Sequence, residues 1–409
     1  MSEQSAIELL EEYQIKCGYI NYEDEHRTYA ERILKEMYPD CSQEQIDAEY
    51  KHIVSELDAI KDILPTPYQS PDEFLLLHDL FQRISDQANK VLNPSRVTFP
   101  HKLTYGTIRM GEFSAFVESG IRDRDYLIVI SDGLFTFANL LSKSIGLLIK
   151  GNETEKNKIA YSYSKESIEN SLKNCHEAII RFVDLIMAYV ITGDPAKSKQ
   201  YTPKKELWPI LSLIRDAFEL FVVGHEYSHV LLGHLDDCEK AMQINLINIK
   251  DAQIESVVLE WTKEIEADCT ASLLTILAME GFDFVCSFIG VDICLITFYM
   301  LEQISFKLMG QEVTHKSHPP GEVRREVVYN LLLKYNKDIT TIFETNTYIM
   351  NELWERCMYI LGKFDDVVKK IGFTSILDIK EYSVIQKLLY RVGDGLLDKY
   401  DTEHNGCNE

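Results

Sequence analysis

The helical stretch from residue 204 to 236 is apolar almost all round, through LSLI, AFELFVV and VLLG, yet FVVGHEYSHVLLGH (221–234) sets two histidines and a glutamate into it. A helix with that composition has to be buried, and a buried helix cannot hold such groups without partners for them. His225 and His229 are four residues apart, so both imidazoles leave the same helical face and can bind one metal ion. Glu226 follows the first histidine, beside the position such an ion leaves open. This is the HExxH pattern of catalytic zinc sites. Chance alone would place it in about 3 of 100 chains of this composition, so a helix that merely carries satisfied histidines is the competing reading.

Catalytic zinc takes a third protein ligand. In WTKEIEADCTAS, Glu264 and Asp268 are again four apart and share a helical face, so one can ligate while the other holds a histidine ring by its far nitrogen. With Glu260 and Glu266 close by, the same acids read equally well as a solvated face. His234 is five residues past His229 and follows Gly233, which points it to a different face as a capping or exposed histidine.

Four segments taken together resemble the gluzincin-type zinc metallopeptidases that include the HtpX-like heat-shock proteases and the CAAX prenyl protease. They are HEYSHVLLGH, EIEAD at 264–268, SHPPGEVRRE at 317–326 with His318, Pro319 and Arg324, and SAFVESGIRDRDYLIVISDGLF at 114–135, in the family's order. The resemblance spans 114–326 and implies a zincin-like core, one catalytic Zn2+ bound by His225, His229 and Glu264, and Glu226 as general base. It further implies Asp268 behind a ligand, His318 at the transition state or substrate, and the strand at Ser114–Glu118 as the edge where an extended peptide adds. The chain departs from the family in three ways: Ser114 stands for the usual Asn, about 70 residues are inserted before the metal helix, and membrane helices are missing. HEYSH and the helix-rich, acidic texture are also similar to the Lit-type peptidases, which cut one host translation factor during phage exclusion.

The fold class expected is mainly α with a small β-sheet (α+β). Residues 1–93 read as an acidic helical lobe, with apolar helical spacing in AIELLEEYQI, YAERILKEMY, YKHIVSELDAIKDIL and FLLLHDLFQRISDQANKVL. Residues 94–330 form the metallopeptidase core, with RVTF, LTYGTIRM, FSAFVE and DYLIVIS as strands and an insertion at about 136–205. Residues 331–409 form a C-terminal helical region ending in a disordered DTEHNGCNE. The polar segments 151–164 and 194–205 read as loops and 165–192 as one continuous helix.

A net charge of −23 argues against nucleic-acid and anionic-membrane partners. Residues 1–90 hold 20 acidic and 8 basic side chains, which offers a regulatory protein partner a charged surface. Nine scattered cysteines without a CxxC, and an N-terminus without signal-peptide character, point to reduced thiols in the cytoplasm. Phe284–Leu301 approaches membrane-spanning length but carries Asp292 near its middle, and reads as a buried core helix.

The function expected is a zinc-dependent endopeptidase acting on an extended protein or peptide, of narrow or regulated specificity as in defence or toxin systems. The alternatives are a non-catalytic interaction protein that keeps the zinc-bound fold, and a metal-dependent hydrolase of some other bond.

Overall fold

The protein, described here by a computed structural model, is mainly helical with a small sheet, an α+β architecture. The residues described are 5–19, 42–44, 47–48, 51, 63–95, 97, 99–100, 102–119, 125–153, 159–235, 249–279, 281–309, 318–370, 372 and 379–405. The helical expectations for YAERILKEMY and for most of YKHIVSELDAIKDIL lie outside them.

Three strands make the sheet: β1 (Lys102–Ile108), β2 (Ala115–Glu118) and β3 (Asp125–Ser131), in the order β1-β3-β2. The central β3 runs parallel to β1, from Lys102↔Asp125 to Ile108↔Ser131, and antiparallel to β2, from Ala115↔Ile130 to Glu118↔Leu127. Side-chain alternation divides β3 between two cores. Leu127 and Val129 join Ile108 against the first helix, α1 (Ala6–Lys16), whose Ala6 and Leu10 meet them one turn apart. Tyr126, Ile128 and Ile130 face the main core. α1 starts in a capping box, with Ser5 Oγ accepting from Glu8 N–H while Glu8 Oε2 accepts from Ser5 N–H at 2.7 Å. Gln14 of the same helix donates to Thr107 O and Gln69 Oε1, both at 3.0 Å, so its amide is satisfied inside the protein.

The chain leaves β3 straight into α3 (Asp132–Gly146) after the earlier α2 (Pro71–Val91). A Cβ on Gly133 would lie 2.2 Å from Gly111 O and 2.6 Å from Glu112 O, so only glycine lets the 109–114 turn close onto the helix start. Asp132 Oδ1 accepts from Gly111 N–H at 3.1 Å and fastens that turn.

Residues 151–164 are not a simple loop: β4 (Lys150–Glu153) and β5 (Ile159–Ser162) pair antiparallel as a hairpin. KGNE carries no β-branched or aromatic residue and IAYS only two in a run of four, too short to announce strands. The continuous helix expected over 165–192 is two, α4 (Lys165–Asn174) and α5 (His176–Thr192), parted at Cys175, whose φ of −130° and ψ of 71° are non-helical.

The main core is built around α6 (Trp208–Leu231), which packs against α2, α3, β2, α7 (Ile249–Ala278) and α8 (Phe284–Met309). Three further helices complete the chain: α9 (Gly321–Leu332), α10 (Ile339–Lys370) and α11 (Tyr382–Asn405). α11 runs on through Asn405, so the first residues of the tail expected to be disordered are helical. Asp184 of α5 ties this last helix down: its carboxylate accepts from Tyr382 Oη at 2.6 Å, from Tyr390 Oη and Gln386 Nε2 at 3.2 Å each, and from Lys199 N–H at 2.8 Å.

Among the described residues α8 is the one helix long and apolar enough to cross a membrane, and 72% of its apolar window is buried inside the protein. Its Asp292 is fully buried. Arg325 of α9 donates to it twice, at 2.7 and 2.8 Å, and Asn346 Nδ2 donates at 2.8 Å.

Glu219 lies on α6 about two turns before His225. It is buried, its Oε2 has no hydrogen-bond partner, and Arg215 comes no closer than 3.9 Å. Burial pushes its carboxyl up to about 8, against the pull of Arg215. A carboxyl whose folded pKa exceeds its unfolded one favours folding while protonated and penalises it as pH climbs from the unfolded value to about 8. Glu219→Gln should therefore melt higher than the wild type near pH 8 and equally near pH 4, as thermal denaturation at the two pH values would read. A gap that did not depend on pH would contradict this.

Candidate metal centre

α6 and α7 meet where Gly224 faces Ala271, two residues small enough to bring the helices together one residue before His225. α7 turns Glu264, Ala267, Asp268 and Ala271 toward the interior, all of them buried. The histidines of one helix and the acids of the other thus share a single space.

His225 Nε2 and His229 Nε2 are 3.1 Å apart, and the two oxygens of Glu264 lie 3.3 Å from them, Oε2 from His225 and Oε1 from His229. A tetrahedral zinc ion with bonds of about 2.0–2.1 Å separates any two of its ligand atoms by about 3.3 Å. The three residues therefore form a donor triangle in which the imidazole nitrogens stand about as far apart as two corners of such a site and the carboxylate straddles them with one oxygen toward each; all three are buried, with one donor atom from each within 4.8 Å of the others. Glu264 Oε2 is buried without a hydrogen-bond donor, which a cation at the centre of the triangle would remedy.

The electrostatics agree. Burial disfavours an imidazolium at His225, but the Asp268 and Glu264 carboxylates outweigh it and push its pKa up. Burial likewise opposes charge on Glu264, and its contacts with His225 and His229 hold its carboxyl far below the usual range. In both cases the pocket calls for positive charge between these groups.

Asp268 is fully buried behind His225. Its Oδ1 lies 2.9 Å from His225 Nδ1, close enough for attraction though out of line for a straight hydrogen bond. Arg324 of α9 holds the same carboxylate with two bonds of 2.7 Å, from Nε and Nη2. The guanidinium overcomes the burial of Asp268 and keeps its pKa low. Arg324 also lies over the Phe298 ring at 5.2 Å, which fixes its plane.

Glu226 is 9% exposed, and burial raises its carboxyl against the opposing pull of His225 and His229. His318 sits at the outer edge of the group with its side chain 55% exposed and Nε2 3.4 Å from Glu264 Oε2. All six residues singled out in the sequence, His225, Glu226, His229, Glu264, Asp268 and His318, therefore meet here, and Arg324 with them.

His234 contradicts the expectation of an exposed or capping residue. It is 7% exposed, its Nδ1 lies 3.0 Å from His229 Nδ1, and its Nε2 lies 3.3 Å from Glu266 Oε2. Gly233 has φ +69°, a left-handed conformation that ends α6, and the chain doubles back. Gly233 N–H then bonds to Val230 O at 3.1 Å and His234 N–H to His229 O at 3.0 Å, the paired bonds of a Schellman turn. Counting five residues along an ideal helix puts His234 on the wrong side. The glycine after an apolar helix was the signal that the count should stop at Leu232.

No family model, curated protein or solved structure matches this chain.

Proposed function

We propose that the protein is a zinc-dependent endopeptidase in which His225, His229 and Glu264 hold the ion and Glu226 is the general base. The observation that carries this reading is the donor group of two imidazole nitrogens 3.1 Å apart with one Glu264 oxygen 3.3 Å from each, the residue after the first histidine being a buried glutamate. A zinc ion there would supply a Lewis acid toward the scissile carbonyl and acidify a water molecule. Glu226 takes the proton of that water and passes it to the leaving amine, a role helped by a carboxyl that burial makes more basic. Asp268, clamped by Arg324, keeps the His225 ring turned to the site. His318, half-exposed at the rim, is placed to donate to the oxyanion that forms on the carbonyl oxygen.

The substrate on this reading is an extended segment of a protein or peptide. β2 ends the sheet and packs on α6, so an added strand would lie along the metal helix. Cleavage is narrow or regulated, as in defence or toxin systems. The acidic residues 1–93 offer a regulatory partner its docking charge, and the protein works in the cytoplasm. Gluzincin character rests on the HEYSH, EIEAD and SHPPGEVRRE segments, which supply every side chain of this centre except His234.

Metal analysis beside a peptide-cleavage assay tests the reading. The wild type should retain one equivalent of zinc, and Glu264→Ala should lose it along with cleavage. Stoichiometric zinc without any Glu226-dependent peptide turnover would favour the non-catalytic interaction protein, ready digestion of unrelated unfolded proteins would overturn the narrow specificity, and no zinc at all would refute the metal reading.

A further inference from the structure

The His229 ring is held from behind by a neighbour unlike that of His225. Behind His225 stands a carboxylate, but behind His229 stands a second imidazole, His234, and a carboxylate, Glu266, comes only after it. We infer that His234, oriented by Glu266, is the positioning residue that selects the metal-binding tautomer of His229. This rests on the zinc reading above.

The assignment follows from counting protons. An ionised carboxylate only accepts, so the ring nitrogen of His234 that faces Glu266, Nε2 at 3.3 Å, carries the hydrogen. A neutral imidazole has one N–H, so His234 Nδ1 presents a lone pair. It lies 3.0 Å from His229 Nδ1, and two lone pairs cannot face each other at that distance, so His229 Nδ1 carries the hydrogen and donates it. His229 Nε2 is then the bare nitrogen, 3.1 Å from His225 Nε2 and 3.3 Å from Glu264 Oε1, where a metal ion needs it. Glu266 touches none of the three donors, yet through His234 it decides which nitrogen of His229 is free. Its side chain is 57% exposed while His234 is buried, so the chain of bonds runs from the protein surface to the metal centre. The Schellman turn at Gly233 is what sets His234 in this position, since its backbone is bonded to the carbonyl of the very residue whose ring it orients.

The test compares zinc affinity, measured by competition with a chelator, in the full chain and in His234→Asn, His234→Leu and Glu266→Ala. Asparagine places an accepting oxygen close to where Nδ1 stands, and leucine fills the space without one. His234→Leu should bind zinc about 10–100-fold more weakly, Glu266→Ala about tenfold more weakly, and His234→Asn within about threefold of the wild type. Nitrogen-15 shifts of His229 in the zinc-free protein give a readout that packing alone would not move: a single Nδ1–H tautomer in the wild type and His234→Asn, a mixture in His234→Leu. Should His234→Leu fail to fold, Glu266→Ala changes only a largely exposed side chain and decides alone. Equal zinc affinity in the wild type and the leucine variant, an asparagine variant as weak as leucine, or an unaffected Glu266→Ala would each overturn the inference while leaving the zinc reading in place. A wild type that binds no zinc would remove both.

Discussion

Glu226→Gln should keep its full equivalent of zinc and lose about 10²–10⁴-fold in peptide turnover, the usual contribution of a positioned general base. The two halves of that result have separate causes. Zinc is retained because the donor triangle consists of His225, His229 and Glu264, and glutamine at 226 leaves all three side chains and the Asp268–Arg324 support behind them untouched. Turnover falls because glutamine has the size of glutamate but no basic oxygen, so nothing at that place accepts the proton of the attacking water. Fold integrity should not suffer: at 9% exposure Glu226 pays for its burial as a charge, and an uncharged amide of equal volume is easier to bury. The comparison needs metal content and cleavage rate on the same preparation. A variant that cleaves at the wild-type rate would remove Glu226 from the chemistry, and one that loses zinc would place it among the ligands.

The second large effect concerns stability rather than chemistry. Asp292→Ala should reduce the free energy of unfolding by about 3–5 kcal/mol, the cost of stranding a buried charge. Arg325 is 7% exposed, receives its counter-charge from Asp292 through two bonds, and keeps only Phe343 O at 3.1 Å and Thr347 Oγ1 at 2.8 Å once the carboxylate is gone. Those two acceptors satisfy N–H groups but leave the charge uncompensated, and the Phe343 ring 3.8 Å below is a weak substitute for a carboxylate. Asn346 would lose an acceptor as well. Removing both charges together, as Asp292→Leu with Arg325→Met, should recover most of the loss because no ion then remains in the core. Urea unfolding of the single and double variants decides it. A single variant within about 1 kcal/mol of the wild type would mean that the pair is solvated in the folded protein.

The centre was legible from sequence to the extent that helical spacing governs it. His225 with His229, and Glu264 with Asp268, are each four apart, and that periodicity alone turns each pair to one face. Whether the two faces would meet was not legible, because it depends on how closely α6 and α7 approach at Gly224 and Ala271. His234 was misplaced for the opposite reason: the periodicity was extended past the residue where a left-handed glycine ended it. Asp292 stood out in an apolar run, but nothing local named Arg325 or Asn346 as its partners, and long-range ion pairs leave no periodic trace. The hairpin at 150–162 was missed because KGNE has no β-branched or aromatic residue and both strands are only four residues long, held by backbone bonds that sequence does not display.

Arg324 and Arg325 are neighbours in sequence, yet one reaches Asp268 on α7 and the other Asp292 on α8. Consecutive residues on a helix point about 100° apart, so α9 is keyed at two angles at once. Its rotation about its own axis is thereby fixed. Lengthening or shortening the helix by one residue between Gly321 and Arg324 would shift the arginines by that same angle relative to the helix start and pull both guanidiniums from their carboxylates together. The five-residue connection that carries the rim histidine to the clamp behind the metal ligand is thus constrained in length, and at Gly321 in composition too, since a Cβ there would lie 2.6 Å from Tyr299 N.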